Sequence, residues 1–125
     1  MTREIKFRAF HKDPELKMKA VTDIFFNDLG NIDRKSQVKL RDYDWVYVKD
    51  IKLMQYTGLK SKSGVEIYEG DILKWHDSGD ILEVRWINNA WEVHGSYNQF
   101  ANHAWEDAEV IGNVWENPEL LEENK

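Results

Sequence analysis

The sequence contains no cysteine, which excludes a disulfide-stabilised fold, a cysteine-ligated zinc or iron–sulfur site and catalysis by a thiol. It has only two prolines and seven glycines, too few for a low-complexity chain. No apolar segment approaches the ~20 residues of a membrane-spanning helix. The N-terminal segment carries interspersed charges where a signal peptide needs a continuous apolar stretch. We therefore expect a cytoplasmic protein.

Aromatic side chains are abundant in this chain of 125 residues: six Trp, five Tyr and five Phe make up 13% of it. Most stand at alternating positions, and aromatic side chains pack well on the pleated surface of a β-sheet. Hydrophobic residues contribute 42% and charged residues 32%, which is typical of a folded soluble protein. The composition therefore predicts a mainly β protein with one modest core, or a small core with an appendage.

Two extended segments near the N-terminus are separated by a turn signal. Residues 5–11 alternate between polar and apolar types, Asp13-Pro14-Glu15 favours a turn, and a second extended run covers about residues 18–24. We predict that they form a β-hairpin. The polar residues 27–42 predict a loop. We therefore assign residues 1–50 to an N-terminal β-hairpin arm and loop. A short strand is predicted at residues 44–48, at the end of this arm, and another at residues 51–57, directly after it.

Three runs at about residues 71–76, 80–87 and 90–97 predict a three-stranded meander. The dipeptides Ser78-Gly79 and Asn88-Asn89 join them, and these residue types tolerate the positive φ of two-residue hairpin turns. A turn at Asn88-Asn89 produces the pairs Trp86–Trp91, Arg85–Glu92 and Val84–Val93. A turn at Ser78-Gly79 produces the pairs Trp75–Leu82, Lys74–Glu83 and Leu73–Val84. It also places Asp77 opposite Asp80, so a loop wider than two residues is the alternative.

The two turn assignments agree on which face of the meander is buried. A one-residue slip would move every side chain to the wrong face, so this agreement is informative. The expected buried residues are Leu73, Trp75, Leu82, Val84, Trp86, Trp91 and Val93. The expected polar residues are Lys74, Glu83, Arg85 and Glu92. A closing strand at residues 108–115 and a short helical turn beginning at Asn117-Pro118-Glu119 complete a small closed or half-open barrel over residues 51–125.

Four blocks of the sequence, residues 3–10, 53–60, 64–73 and 110–121, resemble the YopX family, small proteins of prophages and temperate phages of Gram-positive bacteria. The resemblance implies a mainly β fold whose C-terminal part is an SH3-like barrel. It also implies an uncharacterised function and supplies no catalytic or ligand residues. Phe10 stands where the family usually has Trp, which is a conservative difference.

Motifs that would indicate an enzyme are missing. Residues 58–64 resemble a phosphate-binding loop, but Val65-Glu66 follows where the motif needs Lys and Ser or Thr, so a hairpin loop with a positive φ at Gly64 is favoured. The four histidines do not form a His-Glu-x-x-His motif, and no nucleophile elbow or dinucleotide fingerprint occurs. The carboxylates of Glu66, Glu69 and Asp71, and of Glu106, Asp107 and Glu109, are interpreted as solvated faces. We predict a non-enzyme with no metal, no cofactor and no small-molecule substrate.

Basic residues are the candidate binding surface. Those of the N-terminal hairpin are predicted to share one polar face, interleaved with Phe7 and Phe10, where they would contact single-stranded nucleic acid or the acidic part of a neighbouring copy. The candidate residues are Arg3, Lys6, Arg8, Lys17, Lys19, Lys60 and Lys62. Three tryptophans, Trp45, Trp105 and Trp115, are interpreted as core residues, with a partner groove as the alternative.

Charge is distributed unevenly along the chain. Residues 1–60 hold 13 Lys or Arg and 9 Asp or Glu, whereas residues 61–125 hold 4 and 14, within a total net charge of −6. This asymmetry makes one part of the chain complementary to the other part of a neighbouring copy. The leading hypothesis is a phage or prophage accessory protein of the host cytoplasm that self-associates or binds a protein partner. The alternative is a single-stranded nucleic-acid-binding module, and a weaker one is an acidic inhibitor of a host enzyme.

Overall fold

The computed structural model describes residues 4–13, 15–87, 90–94 and 105–122. The chain divides into two compact units, one formed by Ile5–Gln55 and the other by Tyr56–Lys125 together with Met1–Glu4. Both units are built from antiparallel strands, which confirms the mainly β class. No helix in the described part of the chain has the length and the hydrophobicity that crossing a membrane requires.

The unit Ile5–Gln55 is an antiparallel sheet in the order β4-β3-β2-β1-β5. Its strands are β1 (Phe7–His11), β2 (Met18–Phe25), β3 (Gln37–Leu40), β4 (Trp45–Tyr47) and the first part of β5 (Ile51–Lys60). The predicted hairpin is confirmed, because β1 pairs with β2 and places Phe10 opposite Met18. A 3-10 turn at Val48–Asp50 leads from β4 into β5.

Strand β3 corrects the prediction of a loop over residues 27–42. Val38 and Leu40 are fully buried and alternate with the half-buried Gln37 and Lys39, so these four residues have the period of a strand with one core face. The run is too short to stand out within a polar segment. Its buried side chains pack in a core cluster that contains Ala9, Val38, Leu40, Val46 and Ile51.

The other unit contains the second part of β5 and five further strands. These are β6 (Glu66–Tyr68), β7 (Asp71–Trp75), β8 (Ile81–Ile87), β9 (Ala90–His94) and β10 (Ala108–Asn113). Strand β6 pairs with β5, and the others form a four-stranded sheet in the order β10-β7-β8-β9. Its core cluster contains Ile67, Leu73, Trp75, Leu82, Val84, Val93 and Ala108.

Of the predicted closed or half-open barrel, the closed form is wrong. Among the described residues, β9 and β10 are opposite edges of the four-stranded sheet and do not pair with each other, and β6 pairs with β5 instead of extending that sheet. The strands therefore form two antiparallel sheets. The SH3-like connectivity that the family resemblance implies stays a prediction.

The predicted pairing of β8 with β9 is confirmed. Trp86 lies opposite Trp91, Arg85 opposite Glu92, and Val84 opposite Val93. The two indole rings meet edge to face, with centroids 4.7 Å apart and an interplanar angle of 66°. The connecting dipeptide Asn88-Asn89 lies outside the described residues.

The predicted register of β7 with β8 is wrong by two residues, because Leu73 lies opposite Leu82 and not Val84. The connecting loop is wider than two residues: the Gly79 N–H donates to the Trp75 carbonyl at 2.8 Å, and the Trp75 N–H donates to the Asp80 carbonyl at 3.0 Å. A slip of two residues preserves the face of every side chain.

The expected buried face therefore forms over most of its length. Five of its residues are buried: Leu73, Trp75, Leu82, Val84 and Val93. Trp91 is partly buried against the same cluster, whereas Trp86 is 49% exposed, so the prediction that Trp86 is buried is wrong. On the polar face, the Arg85 guanidinium donates to the Glu83 carboxylate at 2.6 Å, and this hydrogen bond raises the pKa of Arg85 above its usual range.

The C-terminal elements follow the prediction with one change. Strand β10 pairs with β7, and a bulge interrupts its register between Val110 and Gly112. A single helical turn, α1 (Glu119–Glu122), follows. The carbonyl of Asn117 accepts from the Leu120 N–H at 3.1 Å, while its side-chain Oδ1 turns back and accepts from the Asn113 N–H at 3.3 Å. The side chain of Asn117 therefore joins the helical turn to β10.

Candidate binding surface

The N-terminal hairpin does not place its basic residues on one face. Arg8 lies opposite Ala20 and Met54, whereas Lys19 lies opposite Ala9. Residues directly opposite each other in an antiparallel sheet share a face. Arg8 and Lys19 are therefore on opposite faces, and the single basic face that we predicted does not form.

The other basic candidates are dispersed as well. Arg3 lies outside the described residues, and Lys6 precedes β1. Lys17 is exposed at a positive φ of 45° in the hairpin turn. Lys60 and Lys62 belong to the other unit, at the end of β5 and in the loop that follows it. The Arg8 side chain lies against the protein, because its Nη2 is 3.8 Å from the Met54 sulfur.

The segment with a superficial likeness to a phosphate-binding loop is a β-hairpin loop, as predicted. Gly64 has a φ of +87°, and the Ser61 N–H donates to the Val65 carbonyl at 2.8 Å. The Ser63 hydroxyl donates to the Glu109 carboxylate at 2.6 Å. A carboxylate at these hydroxyls repels phosphate, so the geometry does not favour phosphate binding at them.

The blocks that carry the family resemblance perform structural tasks. In the block of residues 64–73, Gly70 has a φ of +86°, its N–H donates to the Val84 carbonyl and its carbonyl accepts from the Val114 N–H, both at 2.9 Å. Asp71 is buried and accepts from the Tyr68 N–H at 2.8 Å, which corrects its interpretation as a solvated carboxylate. This block therefore holds the turn between β6 and β7.

Two further blocks are also used for turns and bulges. In β5, the buried Thr57 hydroxyl donates to the Ile67 carbonyl at 2.7 Å, next to Gly58 with a φ of +88°. After β10, the Asn113 side-chain oxygen accepts from the N–H groups of Trp115 and Glu116 at 3.0 and 2.9 Å. Nowhere in the described ranges do three His, Cys, Asp or Glu side chains come together as a metal-binding group.

An exposed sheet face in the unit Ile5–Gln55 is the candidate binding surface. We name it the aromatic face, and it consists of Asp23, Phe25, Gln37, Lys39, Trp45 and Tyr47. The register places these residues in two rows across β2, β3 and β4, Tyr47–Gln37–Phe25 and Trp45–Lys39–Asp23. Phe25 is 66% exposed, Tyr47 46% and Trp45 40%. The opposite face of the same strands packs into the core through Ile24, Val38 and Val46.

Cationic groups lie beside the rings of this face. The Lys49 ammonium is 5.4 Å from the centroid of the Tyr47 ring, within the range of a cation–π contact. The Lys39 ammonium donates to the Tyr43 carbonyl at 2.9 Å, which holds that side chain along the sheet. Asp23 lies opposite Lys39 in the register of β2 with β3. The aromatic face is therefore apolar at its rings, and Lys49 adds a positive charge beside them.

Strand β4 is the edge strand of its sheet among the described strands. The N–H of Trp45 donates to the Asp44 carboxylate at 2.8 Å instead of to another strand. A charged side chain that occupies an edge donor is a recognised way to discourage unspecific strand addition. The candidate surface of this region therefore consists of the side chains of the aromatic face and not of the backbone edge.

The loop between β2 and β3 is fixed by hydrogen bonds beside the aromatic face. The Asn27 amide donates to the Asp33 carboxylate at 3.1 Å, and the N–H groups of Lys35 and Ser36 donate to the same carboxylate. These bonds, the one from Asn27 first, lower the pKa of Asp33 below its usual range. The loop presents Leu29 at its tip, almost fully exposed.

Sequence reasoning considered Trp45 but placed it in the core. The signal that identifies the aromatic face is the triplet Trp45-Val46-Tyr47, since a strand with a single core face buries either its odd or its even positions. The structure also leaves Trp115 40% exposed, and it packs Trp105 against the core cluster of its unit.

The comparisons with known proteins agree with this architecture. The family model described as YopX protein matches residues 6–122. The crystal structure of protein EF1440 from Enterococcus faecalis has 26% sequence identity and a TM-score of 0.66, with 96% of this chain and 99% of that chain covered. The X-ray structure of protein yopX from Bacillus subtilis has 21% identity and a TM-score of 0.60, with 96% and 97% covered, and supports the fold.

The fold places this chain in the class of mainly β proteins with two antiparallel sheets. It is similar to the two solved structures over nearly its whole length. Because the family model covers most of the sequence, the chain belongs to the YopX family. Neither of the two similar structures is named for an activity. No curated protein matches the chain.

Proposed function

We propose that this protein is a non-catalytic binding protein of a phage or prophage, acts in the host cytoplasm, and holds another protein chain through the aromatic face. The observation that carries the proposal is the exposure of Phe25, Trp45 and Tyr47 on one face of one sheet. Aromatic side chains are enriched in the centres of protein interfaces, where each buries a large area at a low cost in conformational entropy.

The proposal of a non-catalytic role is supported by the use of the family blocks. Glycines and side-chain oxygens in these blocks close turns and bulges, as Gly70 and Asn113 do. The Ser63 hydroxyl likewise donates to the Glu109 carboxylate, which joins the hairpin loop after β5 to β10. The exposed rings of the aromatic face, those of Phe25, Trp45 and Tyr47, are suited to contact with another molecule.

Affinity capture tests the proposal. A tagged wild-type chain and a Trp45→Ser/Tyr47→Ser variant are expressed in a host cell, and the proteins that each retains are compared. We expect the variant to lose a partner that the wild type retains. Ile5→Ser is the control, because Ile5 is an exposed apolar residue of the same unit that lies outside the aromatic face. Equal capture by all three chains would contradict the proposal.

The second candidate is binding of single-stranded nucleic acid. Exposed rings on a sheet stack on bases, and Lys39 and Lys49 lie close enough to the rings to contact phosphates. Fluorescence anisotropy with a labelled oligothymidylate at low salt measures this activity, which falls steeply with salt if phosphates are contacted. Weaker oligothymidylate binding by the Trp45→Ser/Tyr47→Ser variant would place the binding site on the aromatic face. Weaker binding by an Arg3→Ala/Lys6→Ala/Arg8→Ala variant would place it on the N-terminal hairpin.

A further inference from the structure

The two structural units carry opposite net charge. Ile5–Gln55 contains 11 Lys or Arg and 8 Asp or Glu, a net charge of +3. Tyr56–Lys125 with Met1–Glu4 contains 6 and 15, a net charge of −9. The change of sign therefore coincides with the boundary between the two units. We refer to them as the basic unit and the acidic unit.

The aromatic face lies in the basic unit, with Lys39 and Lys49 beside its rings. A suitable occupant therefore offers apolar surface within an acidic surrounding. The acidic unit has this character: Trp86 and Trp115 are 49% and 40% exposed within a unit of net charge −9. Complementary potentials of this kind select partners and orient them on approach.

We infer that the occupant of the aromatic face is the acidic unit of a second copy of this chain, so that copies associate head to tail. The inference rests on the proposed function and adds the identity of the partner. A symmetric dimer that joined two aromatic faces would bring two basic units together, and like charges repel across such an interface. A head-to-tail contact joins unlike charges.

Head-to-tail association has a consequence that a symmetric dimer lacks. An open assembly keeps one unoccupied aromatic face at one end and one unoccupied acidic unit at the other end until it closes on itself. Such contacts produce rings when the rotation between copies closes and open chains when it does not. Unless two copies close reciprocally on each other, the assembly therefore grows beyond a dimer as the protein concentration rises.

Sedimentation velocity over a range of protein and salt concentrations tests the association itself. We expect wild type to self-associate at low salt, with the dissociation constant rising about tenfold when salt screens the charges. Trp45→Ser/Tyr47→Ser should raise it about 30-fold or more, as expected when two aromatic anchors are lost. Ile5→Ser should leave it unchanged. A wild-type chain that stays monomeric at high concentration and low salt overturns the inference.

A mixing experiment tests the head-to-tail geometry. The Trp45→Ser/Tyr47→Ser chain lacks a working aromatic face but keeps its acidic unit, so unlabelled wild type should still bind a fluorescently labelled copy of it. This variant should also shorten wild-type assemblies, because its acidic unit occupies the aromatic face of a wild-type copy while its own altered aromatic face binds no further copy. In a symmetric dimer that joins two aromatic faces, the labelled variant would lose its contact with wild type, and that result would overturn the inference.

The outcomes separate the inference from the proposed function. If wild type is monomeric but captures a different protein through the aromatic face, the proposed function stands and the inference is wrong. If the monomer binds only oligothymidylate through this face, both the inference and the choice of a protein partner are wrong. If the face variants behave as wild type in capture, sedimentation and mixing, the aromatic face has no binding role.

Discussion

Position 112 requires glycine because the Asn117 side chain occupies the space that a Cβ would take. A Cβ built at this position lies 2.6 Å from the Asn117 Oδ1, closer than real contacts allow. That oxygen accepts from the Asn113 N–H, so moving it weakens the link between β10 and the helical turn. The requirement at Gly112 is therefore one of space.

We expect Gly112→Ala to destabilise the protein by about 1–3 kcal/mol, the usual cost of overpacking. Chemical denaturation of the variant and the wild type measures the change. In an Asn117→Ala background the same substitution should cost clearly less, because the clashing atoms are absent. An equal cost in both backgrounds would show that the clash with Asn117 does not set the requirement.

Asp33 provides a test of the loop between β2 and β3. Its pKa lies below the usual 3.8 because hydrogen bonds, first of all that from Asn27, favour the carboxylate. The folded-state pKa is therefore lower than the unfolded-state pKa. The resulting stabilisation is fully present above pH 3.8 and is lost as the pH falls through the folded-state pKa.

We expect Asn27→Ala to raise the pKa of Asp33 towards 3.8, which an NMR titration of the side-chain carboxyl carbon measures. Asn31→Ala is the control, because Asn31 bonds to Asn27 through its backbone N–H and leaves the Asp33 carboxylate bonded. If Asn27→Ala leaves the titration midpoint of Asp33 unchanged, the amide does not cause the shift.

At the scale of secondary-structure elements, the sequence predicts which side of a strand is buried more reliably than it predicts the length of a loop. The pairing of Trp86 with Trp91 was predictable because aromatic, charged and apolar residues all match across a two-residue turn. The opposition of Asp77 and Asp80 indicates a loop wider than two residues, but the exact β7–β8 register depends on backbone bonds such as that from Gly79 to Trp75. The buried face was nevertheless predicted correctly, because a shift of two residues returns every side chain to the same side of the strand.

The candidate site was less predictable than the fold. The number of basic residues in a hairpin does not show which side of the sheet each one lies on. The register of β1 with β2 places Arg8 and Lys19 on opposite faces. The aromatic face depends on β3, which is only four residues long and lies within a polar segment. Without β3, Trp45 and Tyr47 have no sheet on which their exposure can be judged.

The Trp86–Trp91 pair makes a prediction at this scale. An edge-to-face ring pair contributes about 0.5–1.5 kcal/mol beyond the area it buries, so Trp86→Ala should destabilise the protein at least by this amount. It should also abolish the exciton-coupled signal of the two indoles in far-UV circular dichroism. Trp115→Ala, which removes another half-exposed indole, should leave that signal intact. Its retention in Trp86→Ala would contradict the pairing.

At the scale of the whole molecule, the important boundary falls within a strand. Residues of β5 up to Gln55 belong to one unit and those from Tyr56 to the other. In the first unit, β5 pairs with β1 from Ile51 opposite His11 to Gln55 opposite Phe7, and Ile51 is part of the core cluster. An arm that ended at residue 50 would lack both this core residue and one neighbour of β1.

We therefore expect a fragment of residues 1–60 to be more stable than a fragment of residues 1–50. In the shorter fragment β1 becomes an edge strand, and the core that contains Ala9 and Val38 is opened where Ile51 was buried. Thermal unfolding and the dispersion of amide signals in NMR spectra compare the two. A fragment of residues 1–60 that carries Ile51→Ser separates the two effects, because it retains the backbone pairing of β5 but loses the buried side chain. Equal stability of all three fragments would mean that β5 is not part of the first unit.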